Sequence, residues 1–181
     1  MKTLVTIGRG GTGKTSFVAM MAKYFSEAGC SPLLLVDADP DQNLAEMVGV
    51  DLKEAGKKTI SDLLVETFLE EGGTTVGVAP TERIENKIFG RGMYEGDNFD
   101  FIALGTKWVE GCYCLPNAAL KGALESLTKN YRYVLIDSPA GLEHLNRRIA
   151  TKVNDVFDVI DPFARCAHPA ARQTTDDFLI A

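Results

Sequence analysis

The chain has 181 residues, of which 45% are hydrophobic, and a formal net charge of -6. This length and apolar content are enough for one sizeable core, so we expect a single domain over residues 1–181. The acidic balance disfavours a surface devoted to nucleic-acid phosphates, and no apolar run reaches membrane-spanning length, so neither nucleic acid nor membrane is an expected partner.

The first predicted elements are a strand at residues 3–7 and a helix at residues 16–28. The glycine-rich segment between them, Gly8-Arg9-Gly10-Gly11-Thr12-Gly13-Lys14-Thr15, has the pattern of a phosphate-binding loop: a glycine, four variable residues and Gly-Lys-Thr. Backbone N–H groups at such a helix start bind phosphates. The expected nucleotide-binding residues are Gly8, Gly10, Gly11, Thr12, Gly13, Lys14, Thr15 and Ser16.

Two side chains of this segment have specific expected roles. Lys14 is expected to contact the β- and γ-phosphates and to stabilise their charge during catalysis, and the Thr15 hydroxyl is expected to ligate Mg²⁺.

A chain that begins with a strand leaves no room for a signal segment, and we therefore expect a cytoplasmic protein.

The remaining chain alternates between predicted strands and helices. Residues 74–98 mix glycine, charge and isolated apolar side chains, and we predict that they form a peripheral segment. The predicted strands are residues 33–37, 99–104, 133–137 and 156–160, and the predicted helices are residues 41–48, 59–68, 117–128 and a segment from Pro169.

This alternation predicts an α/β fold, with a mostly parallel sheet and helices on both faces. Ligands of such sheets lie beyond the carboxyl ends of the strands. Gly8, Asp37 and Asp137 each follow the last apolar residue of a strand. We expect the three to meet at one edge of the sheet.

Three aspartates are candidates for the chemistry at that edge. Asp137 is expected to accept a hydrogen bond from a Mg²⁺-bound water, the alternative being a turn or helix cap before Pro139. In Asp37-Ala38-Asp39-Pro40, we expect Asp39 to orient the attacking water and Asp37 to approach the metal. The alternative for that pair is a solvated turn.

These segments together resemble the deviant-Walker ATPases related to MinD, ParA and the nitrogenase iron protein. Gly111-Cys112-Tyr113-Cys114 and the stretch from Asp137 to Leu145 resemble the CooC branch, whose members help to insert nickel into carbon monoxide dehydrogenase. The resemblance extends from Met1 to about Pro162. It implies a P-loop NTPase that binds and hydrolyses ATP with Mg²⁺.

The resemblance also implies a nucleotide-dependent homodimer and a client enzyme of the carbon monoxide dehydrogenase type. A residue near the start of each loop would reach the partner's phosphates; members usually carry lysine there, and this sequence has Arg9. Relatives continue beyond the strand at residues 156–160 with residues that hold the base, so we expect a domain that is short at its C-terminal end. ATP as the nucleotide is therefore implied by the family alone.

The cysteine pair allows more than one interpretation. Cys112 and Cys114 supply half of a tetrathiolate Zn²⁺ site, which a two-fold dimer would complete. Ni²⁺ would prefer a square-planar arrangement, and the pair could also be buried small residues or a redox pair. The resemblance implies a metal site shared across the dimer. The alternative functions are a MinD- or ParA-like spatial-positioning ATPase and a nucleotide-binding protein with little turnover.

Overall fold

A computed structural model describes residues 1–67, 80–105, 122–139 and 153–160. Within these residues the strands form one six-stranded sheet with the order β3-β4-β2-β5-β1-β6. All neighbouring pairs are parallel except the edge pair β3 and β4, which is antiparallel. The strands are β1 (Lys2–Ile7), β2 (Leu33–Asp37), β3 (Tyr94–Glu95), β4 (Asp100–Ala103), β5 (Tyr133–Asp137) and β6 (Asp155–Asp158).

The inner strands are apolar because both of their faces are covered. All five residues of β2 and the last five of β1 are buried, as a parallel strand between two helical layers requires. Strand β5 lies between β1 and β2, and its Asp137 is paired in register with Thr6 on one side and with Asp37 on the other. The predicted α/β fold class with a mostly parallel sheet is confirmed.

The sheet divides the apolar core into two clusters, and helices cover both of its faces. On one face, Val18, Ala22 and Phe25 of α1 pack with Leu33 and Leu35. On the other face, Leu34 and Val36 pack with side chains of α3, α4 and α5. The helices are α1 (Lys14–Glu27), α2 (Asn43–Met47), α3 (Ile60–Val65), α4 (Pro80–Lys87) and α5, which includes residues 122–128.

The prediction that residues 74–98 are peripheral is wrong for the part that the structure describes. Helix α4 continues into a π-helical turn, Ile88–Gly92, which leads into β3. Ile84, Ile88 and Met93 are at most 3% exposed, and they belong to the same core cluster as Leu34 and Val36. The charged residues between them hid this apolar spacing, because a short helix with one buried stripe has a weak sequence signal.

One carboxylate connects the polar side of this region. Glu66 accepts hydrogen bonds from Lys58 (2.8 Å) and Lys87 (3.4 Å), and Arg91 also pairs with it. Lys58 and Arg91 are well exposed, so each pair contributes at most about 1 kcal/mol to stability. Their combined effect is to fix the π-helical turn against the end of α3.

Some sequence predictions fall on residues outside the described ranges. These include the cysteine pair at 112 and 114, the helix from Pro169 and the first part of the helix predicted at 117–128. In the ranges that the structure does describe, no helix is both long and apolar enough to cross a bilayer.

The junction of β1 with the following loop gives a stability prediction. Gly8 has φ +141°, and a Cβ added to it would lie 2.4 Å from the Val159 carbonyl oxygen. Gly8→Ala should therefore lower the free energy of unfolding by about 2–3 kcal/mol, from backbone strain and the contact with β6. Urea unfolding followed by circular dichroism would measure the change.

Gly10→Ala is the matched control, because a Cβ there would meet no atom within 4 Å. Its free energy of unfolding should stay within about 0.5 kcal/mol of the parent. Equal stability of the two variants would contradict the proposed contact between Gly8 and Val159.

Candidate nucleotide-binding site

The predicted phosphate-binding loop connects β1 to α1. Gly13 is the N-cap residue of α1, with φ 90°, and no side chain caps this helix start. The first backbone N–H groups of α1 therefore have no side-chain acceptor, and they point toward the carboxyl edge of the sheet. An anion placed there would interact favourably with the helix dipole.

The loop is organised around the carbonyl oxygen of Arg9. This oxygen accepts hydrogen bonds from the Thr12 hydroxyl (2.9 Å) and from the Lys14 ammonium (3.2 Å). The Lys14 side chain is thereby held inside the loop, and the residue is only 6% exposed. Its positive charge is positioned by a neutral partner, so it remains available to an incoming anion.

A cavity of about 880 Å³ opens in front of the loop. A Cβ added at Gly10, Gly11 or Gly13 would meet no atom of the described residues within 4 Å. Besides loop residues, side chains of α2 and of the two strand-end segments line the cavity. The lining residues are Gly10, Gly11, Gly13, Lys14, Thr15, Ser16, Asp39, Pro40, Asp41, Asn43, Glu46, Met47 and Pro139.

Sequence reasoning did not assign the α2 residues Asn43, Glu46 and Met47 to the site. The segment was predicted as a short helix, and its position next to the loop depends on the pairing of β2 with β5, which the sequence does not specify. Met47 lies near Ser16, with its sulfur 3.9 Å from the Ser16 hydroxyl. The sequence signal for these residues is the polar face of a helix that follows an aspartate at a strand end, which indicates a helix next to the site.

Asp137 is the buried carboxylate next to the loop. It is fully buried, and within the ranges that the structure describes neither of its carboxylate oxygens has a hydrogen-bond partner of normal geometry. Burial raises the pKa of Asp137 to about 6, while the Thr15 hydroxyl and the Lys14 ammonium act to lower it. The neighbouring Ser138 hydroxyl donates to the Thr6 carbonyl and ties this strand end to β1.

An orphaned, buried carboxylate beside a threonine hydroxyl fits a divalent cation. Mg²⁺ prefers oxygen ligands and retains several waters, which can bridge to a carboxylate. Thr15 lines the cavity and its hydroxyl acts on the pKa of Asp137, so two of the three expected Mg²⁺ residues lie next to each other. The residues present therefore fit the cation that the sequence predicts.

Asp37 has a different environment. It is 0% exposed, and its two carboxylate oxygens accept hydrogen bonds from the backbone N–H groups of Asp39 and Leu44, both at 3.1 Å. Burial and the nearby Asp137 raise the pKa of Asp37 to about 7. Both oxygens therefore accept hydrogen bonds from the chain itself, and the expected approach of Asp37 to the metal, directly or through water, stays a prediction.

Asp39 lies at the cavity wall, as expected for a residue that orients water. Its Oδ1 accepts a hydrogen bond from the Asp41 backbone N–H at 3.0 Å. The carboxylate is therefore fixed at one oxygen and lines the cavity that Lys14 also lines.

The cysteine pair cannot be compared with this geometry because it lies outside the described residues. Within the described ranges, no group of three or more His, Cys, Asp or Glu side chains is arranged to hold a metal ion.

The raised pKa values predict a pH dependence of stability. A carboxyl group whose pKa is raised by folding stabilises the fold at low pH, and this contribution is lost as the pH rises through the folded value. Asp137→Asn removes one ionisation and its repulsion of Asp37. We expect the variant to be more stable than the parent by about 1–2 kcal/mol at pH 8 and similar to it at pH 4.

Urea unfolding of both proteins at pH 4 and pH 8, without added ligand, tests this difference. Asp97→Asn, in an exposed loop, is the control and should leave the stability unchanged at both values. A variant less stable than its parent at pH 8 would show that Asp137 is not electrostatically strained.

Comparison with known proteins gives the family. The model of a family described as AAA domain matches residues 2–168. The chain is 35% identical over 167 residues to the uncharacterized ATP-binding protein MJ0685 of Methanocaldococcus jannaschii, in an alignment that covers 91% of this chain and 64% of that protein. The chain thus spans about two thirds of the length of this relative.

Two further similarities extend this result. The carbon monoxide dehydrogenase accessory protein CooC of Rhodospirillum rubrum is 30% identical over 179 residues, with 95% of this chain and 67% of that protein aligned. The septum site-determining protein MinD from Pyrococcus horikoshii OT3, solved with Mg-ADP, superposes with a TM-score of 0.59 at 23% identity, over 92% of this chain and 60% of that one. The chain therefore belongs to the AAA domain family and has a P-loop NTPase fold similar to that of MinD.

Proposed function

We propose that the protein is a Mg²⁺-dependent ATPase that acts as a dimeric, CooC-like maturation factor for a nickel enzyme. The observation that carries the ATPase is the unpartnered Asp137 carboxylate beside Thr15 and Lys14, at the start of α1 and next to an open cavity. Among the described residues, neither oxygen of this buried carboxylate has a hydrogen-bond partner of normal geometry, and a bound cation would compensate its charge.

The proposed roles follow the positions of the side chains. The backbone of the loop, from Gly8 through Ser16, would surround the phosphates. The Lys14 ammonium would leave the Arg9 carbonyl oxygen and donate its hydrogen bond to a phosphate oxygen instead. Thr15 and Asp137 would hold Mg²⁺, directly or through water. The cation would supply neutralisation of the charge that develops on the phosphate oxygens.

Asp39 is proposed to orient the attacking water. Its Oδ1 is held by the Asp41 N–H, which leaves the second oxygen to accept a hydrogen bond from the attacking water. Arg9 is proposed to reach the phosphates of a second subunit, where its guanidinium would bind phosphate in a bidentate manner. Hydrolysis would then require the homodimer.

The maturation role is supported by the 30% identity to a carbon monoxide dehydrogenase accessory protein over 95% of this chain. Nickel would be the cargo, and Cys112 and Cys114 of two subunits would form the thiolate site that holds Zn²⁺ or Ni²⁺. A client enzyme of the carbon monoxide dehydrogenase type is part of this proposal.

The likeness to MinD, at 23% identity, supports a shared fold, and a spatial-positioning ATPase is the second candidate.

Lys14→Ala tests the ATPase. Removing the ammonium that stabilises the phosphate charge should lower the steady-state rate of ATP hydrolysis on the order of 100-fold or more. Lys23→Ala is the matched control, because Lys23 is exposed and pairs with Glu27 on the outer face of α1. If the parent hydrolyses ATP no faster than Lys14→Ala, the ATPase proposal is wrong, and the function that remains is that of a nucleotide-binding protein with little turnover.

Cys112→Ser combined with Cys114→Ser tests the maturation role. The parent should hold about one metal ion per dimer, and the double variant should hold none. Elemental analysis after gel filtration with and without ATP measures both metal content and oligomeric state. A Cys30→Ser variant is the control, since Cys30 is half-buried against the core. A parent that binds no metal as a dimer would favour the spatial-positioning function.

A further inference from the structure

We propose that Asp37 is a positioning residue, which holds the segment from Ala38 to Leu44 so that Asp39 faces the cavity. This inference rests on the proposed water-orienting role of Asp39. It assigns to Asp37 a role through the protein backbone, in place of the metal contact that its position in the sequence suggested.

The contacts of Asp37 carry the proposal. Its Oδ1 accepts from the Asp39 N–H and its Oδ2 from the Leu44 N–H, both at 3.1 Å. The Asp39 N–H lies at the start of the turn between β2 and α2, and the Leu44 N–H lies just after it, in the first turn of α2. One buried carboxylate therefore fixes both ends of this turn at the end of β2, where hydrogen bonds to a charged acceptor are strong.

The turn between Asp39 and Leu44 includes a backbone conformation that is intrinsically unfavourable. Gln42, the N-cap residue of α2, has φ 53° and ψ 36°, a left-handed conformation that is unfavourable for a residue with a side chain. Leu44 is fully buried and anchors the far end in the core. The strained conformation thus depends on bonds such as those that Asp37 supplies.

The same pattern continues from Asp37 to Asp39. Asp39, whose N–H is bound by Asp37, in turn accepts from the Asp41 N–H at 3.0 Å. Each aspartate thus fixes the backbone two residues further on. The direction of the Asp39 carboxylate is set by this series, and the series begins at Asp37.

Direct metal binding is less compatible with this arrangement. Both oxygens of Asp37 already accept hydrogen bonds from backbone N–H groups. Asp137, equally buried, has two oxygens without hydrogen-bond partners among the described residues. The adjacent strand end already supplies the carboxylate that a cation would use.

Asp37→Asn tests the proposal because an amide offers only one oxygen. Its NH₂ group would face one of the two backbone N–H groups, so the turn would be released at one end. Displacing Asp39 by about 1 Å is enough to lower a catalytic rate on the order of 100-fold.

Amide hydrogen exchange gives a readout that needs no nucleotide. In the parent, the N–H groups of Asp39 and Leu44 should be protected; in Asp37→Asn, at least one should exchange roughly ten times faster or more. Asp51→Asn is the matched control: Asp51 also accepts a backbone N–H, from Glu54, in an exposed turn outside the cavity. It should leave both amides unchanged.

The exchange result decides the structural part even if ATP is not hydrolysed. Fast exchange of both amides in the parent, or unchanged protection in Asp37→Asn, would overturn the proposal. If Asp37→Asn does not fold, the parent data alone decide, because protection at Asp39 and Leu44 is required and its absence excludes the role.

Kinetics separate positioning from metal binding. Asp37→Asn should lower kcat about 10- to 100-fold, with the Mg²⁺ concentration for half-maximal binding of a fluorescent ATP analogue changed less than about threefold. The double variant with Asp39→Asn should be no slower than Asp39→Asn alone, since one residue acts through the other. A tenfold or larger rise in the Mg²⁺ requirement, with the Leu44 amide still protected, would assign Asp37 to the metal instead.

Discussion

The structure depends on the parallel pairing of β1, β5 and β2, which brings three strand ends to one edge of the sheet. The register pairs Asp137 with Thr6 on one side and with Asp37 on the other. Both aspartates are fully buried, and burial raises the pKa of each. The sheet thus places two carboxyl groups side by side where neither is well solvated, an arrangement that opposes stability.

The two carboxylates are compensated in different ways, and this difference assigns their roles. Asp37 accepts hydrogen bonds from the backbone N–H groups of Asp39 and Leu44, while in the described part of the chain Asp137 has no hydrogen-bond partner of normal geometry. Near Asp137, the Lys14 ammonium donates a hydrogen bond to a carbonyl oxygen instead of a carboxylate. The site therefore holds a negative and a positive group close together, as a site for a cation bound to phosphates requires.

The sequence alone predicted the features that depend on local pattern. Runs of β-branched and apolar residues predicted β1, β2 and β5, and the glycine-rich segment predicted the turn into α1. It did not predict the burial of Ile84, Ile88 and Met93, because the polar residues between them dilute the apolar period. The hydrogen bonds of Asp37 were equally inaccessible, since they depend on how the chain turns after β2 and on the strained conformation of Gln42.

The carboxylates of this chain respond to acid in opposite directions at two places in the fold. Hydrogen bonds from Lys58 and Arg91 lower the pKa of Glu66 to about 2, against the smaller effect of burial, while the pKa values of Asp37 and Asp137 are raised. Mild acidification therefore relieves the repulsion at the strand ends and leaves the contacts of Glu66 intact. Only strong acid reaches Glu66, and it would release the π-helical turn from α3 while the strand ends are already neutral. The molecule thus has a graded acid response, in which the candidate site becomes less strained well before the contacts of Glu66 are weakened.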